Sequence, residues 1–342
     1  MKGHQILIEP LPAGGHAAAL LVDGRLADLL VDPDPADPTP RPEAIYRGVA
    51  GRPMKGMGGV MVELGDGLTG WLRGPKPPAP GRPALVQVTG WSEPAKAPGV
   101  TTRLLLKGRT AILTPGAPGA NVARGLRDPD RRTALAAIAA DTLAGADAAL
   151  GAIVRTAAEA AADAEVAAEI ASLRAAWEGL EPAGAAGLVR AAPGAAAEAL
   201  REWRLAGDAV RDAPGALLAA GVWDEIDALR RPTVALGEGS MVIEPTRALV
   251  AVDVNTGRDA SPAAALKANL AAAAELPRQL RLRGLGGQVT VDFAPLARAD
   301  RPRIERALAA ALRDDAIDTT VLGWTPGGHL ELQRKRARRP LD

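Results

Sequence analysis

With 342 residues, 47% of them apolar but only 2% aromatic, the chain is long enough for two to four units whose interiors Ala, Leu and Val have to fill. Its 41 basic and 40 acidic residues leave a formal charge of +1, which by itself excludes neither nucleic-acid nor protein partners. The lack of cysteine excludes disulfides and thiolate metal sites; with no leader-like opening and no membrane-length apolar run, a soluble cytoplasmic protein without membrane contact is expected.

In chain order, residues 4–32 read as strands (HQILIEP, AAALLVDG, RLADLLVD), with Asp23-Gly24 as a hairpin turn. The run VDPDPADPTPRPE cannot continue a strand or a helix and reads as a linker. From about Ile45 to Gly108, short strands broken by Gly and Pro, with no helix, predict a small barrel. From about Asp128 to Leu180 the pattern is helical, interrupted between Gly145 and Gly151. Residues 180–235 carry a strand-like GLVRA, helical patterns around Ala195–Leu205 and a helix near Trp223–Leu229. Residues 236–342 read as an α/β block closed by the basic run RKRARRP, either a solubilising tail or a nonspecific phosphate contact.

The segment Arg247–Leu296 carries the chemistry. Two apolar runs, RALVAVDVNTG and QVTVDFAPL, each reach an aspartate, Asp253 and Asp292. Strand parity points Asp253 and Asn255 to one face, and Thr290 and Asp292 likewise. The residues between them suffice for a helical crossover to a parallel strand, which brings two strand C-termini side by side. Two carboxylates and an amide form a hard oxygen site suited to Mg2+, or to Mn2+. The plainer use of such residues is to cap the turns at strand ends. His4, His16 and His329 are scattered and fit neither an acid–base pair nor a metal cluster.

The pieces VIEPTRALVAVDVNTG, Asn269-Leu270, RQLRLRGLGG and VTVDF, in this order and spacing, resemble the catalytic core of the ribonuclease E/G family. The pattern IYRG…VELGDGLTGWL resembles that family's oligonucleotide-binding barrel. The resemblance implies a multidomain α/β and β fold. An RNase H-like subdomain (1–42 and 180–235) is split by an inserted OB-fold RNA-binding barrel (43–108) and a helical 5′-sensor region (109–179). A DNase I-like α/β catalytic subdomain (236–342) follows. It implies a magnesium-dependent endoribonuclease for single-stranded RNA, acting in rRNA processing and mRNA turnover, with Asp253 and Asp292 as metal ligands and Asn255 beside them. The alternative is an RNA-binding homologue that has lost turnover.

The resemblance assigns RNA contacts in the barrel to Met61, Trp71 and Lys96, with Met61 in place of an aromatic platform and Trp71 equally readable as barrel core. Arg155 and Thr156 match the family's 5′-monophosphate sensor, with Arg124 in the neighbouring basic loop. Arg278, Arg281 and Arg283 read either as phosphate clamps beside the aspartates or as the solvated end of a helix. Ala271 replaces the glutamate expected after Asn269-Leu270, Glu275 is kept, and Pro277 is expected to kink the crossover helix. No zinc-binding cysteines are present, so no zinc-linked dimer is expected; a monomer or another homodimer remains.

Overall fold

In the computed structural model, which describes residues 3–54, 56–74, 77–93, 96–204 and 209–341, the chain divides into two units, Met1–Asp32 with Val210–Asp342, and Pro33–Ala209. The N-terminal strands β1 (His4–Pro10), β2 (His16–Val22) and β3 (Arg25–Val31) form an antiparallel meander. Asp23 (φ +51°) and Gly24 (φ +80°) turn β2 into β3 with the two positive φ angles that a type I′ hairpin needs. Ala17, Ala18 and Ala19 are all buried, so β2 is covered on both faces and its apolar run does not alternate.

The unit Pro33–Ala209 opens with the barrel. Its strands are β4 (Ile45–Ala50), β5 (Gly59–Gly65), β6 (Leu68–Arg73), β7 (Pro83–Val88) and β8 (Gly99–Thr101). They pair in the order β4-β5-β6-β8-β7, and a β7–β4 pairing closes the five-stranded ring. Val60, Val62, Leu64, Leu72, Val86, Val88 and Val100 fill it. Gly48 allows this packing, because a Cβ there would lie 2.5 Å from Val62 and 2.9 Å from Val86.

Next come β9 (Leu106–Lys107), β10 (Ala111–Pro115), β11 (Gly119–Val122), α1 (Pro129–Thr142), β12 (Leu150–Val154) and α2 (Asp163–Glu178). The sheet order is β11-β12-β10-β9, and α1 is the crossover between the parallel strands β11 and β12. Asp128 caps α1, accepting from the amides of Asp130 (2.9 Å) and Arg131 (3.2 Å), with Pro129 at the first helical position. The break in the helical pattern is thus larger than the glycines imply: LGAIV forms β12 and is buried against both helices. Strand β13 (Gly187–Arg190) joins the edge of β4, and α3 (Ala195–Glu202) follows, so both lie with the barrel.

Strand β14 (Ala209–Asp212) adds to β1, giving the order β14-β1-β2-β3. Helices α4 (Ala216–Ala219) and α5 (Val222–Leu229) pack Leu217, Val222 and Ile226 against Leu7, Leu26 and Leu29. The remaining elements are β15 (Thr233–Leu236), β16 (Gly239–Pro245), β17 (Val250–Asn255), α6 (Pro262–Leu282), β18 (Gly287–Asp292), α7 (Arg301–Arg313), β19 (Thr319–Trp324) and β20 (Leu330–Arg334). They build a six-stranded sheet, β15-β16-β17-β18-β20-β19, whose single parallel pair is β17–β18. Helices α6 and α7 bury Leu276, Leu280, Ile304 and Leu308 against Val252, Val254, Val289 and Val291. Ser261 caps α6, which continues through Pro277 to Leu282.

Two arginines of the basic run are held within the fold and do not form a free tail. Arg334 is fully buried and pairs with Asp315 at 3.1 Å, and Arg338 pairs with Asp28 at 3.1 Å. Beyond them the amide of Leu341 donates to the Arg283 carbonyl (3.1 Å). Gly284 (φ +66°) admits this return, since a Cβ there would lie 1.9 Å from the Arg339 carbonyl oxygen. Among the described residues, no helix is long and apolar enough to cross a membrane.

Candidate active site

The two aspartates meet. In the parallel pair β17–β18 the register sets Asp253 directly opposite Asp292 at the C-terminal ends of both strands. Neighbouring strands lie about 4.8 Å apart, so the two carboxylates are within reach of one small cation. Strand parity does the rest. Val250, Val252 and Val254 face the core under α6, while Asp253 and Asn255 are exposed on the opposite face. In β18, Val289 and Val291 are buried and Asp292 is exposed. The Asn255 side chain donates from Nδ2 to Asp253 Oδ2 at 2.7 Å, which fixes that carboxylate and leaves its other oxygen available.

Two residues to which the sequence assigns no role in this site belong to it. His329, in the turn between β19 and β20, has Nε2 3.8 Å from Asp292 Oδ1. The hairpin return brings it there, and nothing in the local sequence announces it. Asn269 on α6 is fully buried and grips the segment after Asp292 from beneath. It donates to the Ala294 carbonyl (2.9 Å) and accepts from the Ala294 amide (3.0 Å). The Asn269-Leu270 pair was noted only as part of a resemblance; the double hydrogen bond gives the amide a physical role.

The donors suit a hard divalent cation. Among the described residues, no group of three or more His, Cys, Asp or Glu side chains is arranged to hold a metal. Two carboxylates with the remaining positions filled by water and substrate oxygens is how magnesium is commonly held, so the residues fit that ion.

Arg278, Arg281 and Arg283 do not join this site, contrary to the expectation that they lie beside the aspartates. Helix α6 starts near the strand ends that carry Asp253 and Asp292 and runs back along the sheet, so its last turn lies at the opposite edge, where β18 begins. Across its 21 residues that is roughly 30 Å. There Arg278 donates to the Leu26 carbonyl (2.7 Å) and pairs with Glu275 (2.7 Å). Arg281 donates to the Ala27 carbonyl (2.8 Å) and pairs with Asp315 (3.0 Å). Arg283 is buried, donating to the Arg231 carbonyl (2.8 Å) and to Gln279 (3.2 Å). Burial pushes the Arg283 guanidinium down from its ordinary value.

In the barrel, Met61 and Trp71 are cross-strand partners on β5 and β6. Both are half-buried and alternate with the inward residues Val60, Val62 and Leu72, so Trp71 is on the outer face and not in the core. Its indole lies over Gly59, where a Cβ would come within 2.5 Å of the ring. Lys96, 67% exposed and paired with Glu93, lies just ahead of Gly99, which is the strand partner of Trp71.

Arg155 and Thr156 follow the C-terminal end of β12, beside the parallel end of β11. The Ala123 amide donates to the Val154 carbonyl (2.8 Å), and the exposed Arg124 sits in the turn that follows. A Cβ at Gly125 would lie 3.0 Å from Thr156 Oγ1, so this turn rests on Thr156. The Arg155 side chain donates to the Gly108 carbonyl (2.7 Å) and pairs with Glu202. Burial would push the Glu202 carboxyl up, but Arg155 and Arg201 outweigh it and hold it below the usual carboxylate value.

The sequence pattern of the ribonuclease E/G family matches residues 105–213 and 208–337. Among similar proteins, "Ribonuclease G" of Escherichia coli (strain K12) is 27% identical over 302 residues, covering 77% of this chain and 61% of the relative. "Ribonuclease E" of Nostoc sp. is 28% identical over 309 residues, covering 75% of this chain and 43% of the relative. "Ribonuclease E/G-like protein, chloroplastic" of Arabidopsis thaliana is 37% identical over 124 residues, 34% of this chain and 12% of the relative. The chain therefore spans less than two thirds of the length of these relatives.

Proposed function

Because the chain belongs to the ribonuclease E/G family, we propose that it is a magnesium-dependent endoribonuclease that hydrolyses single-stranded RNA beside Asp253 and Asp292. The observation that carries this reading is the strand register that sets these two carboxylates opposite each other. When bound between them, a magnesium ion supplies an activated water and neutralises the charge that builds on the attacked phosphate. Asp253 and Asp292 would hold the ion, and Asn255 orients the Asp253 carboxylate through its amide. Asn269 keeps the segment behind Asp292 in place. Water adds to phosphorus, the bond to the 3′-oxygen breaks, and the products carry a 5′-phosphate and a 3′-hydroxyl.

The remaining assignments follow the family. The closed barrel is the OB-type RNA-binding element, with Trp71 as a stacking platform and Lys96 as a phosphate contact. Of the expected 1–42 and 180–235, residues 1–32 and 210–235 share a unit and would make the RNase H-like part, with residues 236–342 as the DNase I-like part. Thr156, Arg155 and Arg124 form the 5′-monophosphate sensor, with the Arg155–Glu202 pair opening when a phosphate competes. Cytoplasmic ribosomal and messenger RNA are the substrate class.

The 342-residue chain incubated with a 5′-monophosphorylated, A/U-rich RNA tests the reading. Cleavage that requires Mg2+ and disappears in Asp253→Asn is the expected result. Tight binding without cleavage at any Mg2+ concentration would make the protein an RNA-binding homologue without turnover.

A further inference from the structure

A pair of carboxylates facing an RNA strand repels it, so the catalytic edge needs protein cations as well as a metal ion. The arginines at the end of α6 are held at the other edge by carbonyls and carboxylates. At the catalytic edge, Arg258 and Arg298 are exposed on the loops after β17 and β18. Arg301, the first residue of α7, is different because its side chain has a seat.

The Arg301 guanidinium stacks over the Trp324 ring, with Cζ 4.4 Å from the ring centroid. Trp324 is itself fixed. Its indole N–H donates to Glu305 (2.6 Å), and its ring lies 5.7 Å from that of Phe293, the residue after Asp292. Arg301 also borders the turn Thr325–His329: its Nη2 lies 3.6 Å from where a Cβ on Gly328 would be. That turn is held by bonds from the Thr325 amide to the His329 carbonyl (2.8 Å), from the Gly328 amide to the Thr325 carbonyl (3.0 Å), and from the His329 amide to Thr325 Oγ1 (3.1 Å). The same turn ends at His329, 3.8 Å from Asp292. The turn that Arg301 borders is therefore the one that reaches Asp292 through His329.

We propose that Arg301, seated on Trp324, is a substrate-contacting residue that clamps an RNA phosphate next to the one being cleaved. This rests on the hydrolase reading above. The cation–π contact orients the guanidinium plane and leaves its terminal in-plane N–H groups available. Among the described residues no carboxylate pairs with Arg301, and its half-buried position holds it in place at little further entropy loss on binding. A diester phosphate presents two oxygens that match such a fork.

The test uses the full chain in an Asp253→Asn background, so that binding to a single-stranded A/U-rich RNA is read without turnover. Adding Arg301→Gln is expected to weaken binding about tenfold and to reduce the slope of log affinity against log salt by about 0.7, the loss of one single-strand phosphate contact. Arg301→Lys keeps the charge but not the planar fork, so it is expected to keep the slope and lose affinity several-fold. With the aspartate restored, Arg301→Gln is expected to raise KM more than it lowers kcat. Unchanged affinity and slope in a folded Arg301→Gln protein would overturn the proposal. Should that variant not fold, Arg301→Lys decides, and parental affinity in it would overturn the proposal equally. If the chain with Asp253 intact never cleaves RNA but the affinity and slope changes appear, the hydrolase reading falls and the clamp stands. Cleavage unaffected by either substitution sinks the clamp alone.

Discussion

Replacing Asn269 with leucine removes the support under Asp292 while keeping a side chain of similar size. Asn269 is fully buried and satisfies both the amide and the carbonyl of Ala294, at 3.0 and 2.9 Å. Leucine can satisfy neither. Each buried backbone group left without a partner costs about 1–3 kcal/mol, so the loss should total about 2–6 kcal/mol. For a unit of this size that lowers the melting temperature by roughly 4–24 °C. Urea unfolding should show a lower midpoint at an unchanged m-value, because the exposed surface on unfolding stays the same. Cleavage should also fall, by about 100-fold if Asp292 shifts by about 1 Å. Asn269→Asp should be nearly as damaging, since its second oxygen would face the Ala294 carbonyl. A leucine variant within about 0.5 kcal/mol of the parent, with unchanged turnover, would refute the claim that this amide holds the catalytic edge.

Three further outcomes are expected. Trp71→Ala should weaken single-stranded RNA binding by about 1–3 kcal/mol in fluorescence anisotropy, and Met61→Phe should recover part of a stacking contact; no change in either would remove the outer barrel face from recognition. Asp315→Ala leaves the fully buried Arg334 side chain without its carboxylate and Arg281 with only the longer carboxylate contact to Asp28 at 3.8 Å, and should cost about 3–5 kcal/mol in urea unfolding. A loss below about 1 kcal/mol would show the cluster to be dispensable. Glu43 gives a pH signature. Burial alone would push its carboxyl up, but Arg201 and Lys107 outweigh that and hold it below the usual carboxylate value. A pKa depressed by folding stabilises above the unfolded-state value and is lost as pH falls through the folded one. The stability gap between the parent and Glu43→Gln should therefore be constant above about pH 5.5 and shrink below about pH 4.5; a gap persisting unchanged at about pH 3 would contradict this.

The central geometry was legible because it rests on two strong regularities. Strand parity sets the face of Asp253, Asn255 and Asp292, and a right-length crossover forces the two strands parallel. The barrel was legible from its turn residues, and Asp23-Gly24 from its hairpin chemistry. Elsewhere, nearness in sequence misleads. Arg278 precedes Asp292 by less than one helix and one strand, yet helix polarity carries it to the far edge of the sheet. Strand β12 hides inside an alanine-rich helical stretch, where pairing with β10 and β11 overrides local helix preference. The C-terminal arginines read as a solvated charge run because Asp315 and Asp28, which bind Arg334 and Arg338, are remote in sequence. His329 was invisible for the same reason: only the β19–β20 hairpin brings it to Asp292.

Binding of Mn2+, a paramagnetic substitute for Mg2+, followed by electron paramagnetic resonance on the full chain addresses the carboxylate pair most directly. The parent should show a saturable site that Mg2+ displaces, and that site should be lost in both Asp253→Asn and Asp292→Asn while both variants still bind RNA. Undiminished Mn2+ binding in either variant, or cleavage by the parent that continues in excess chelator, would contradict the account.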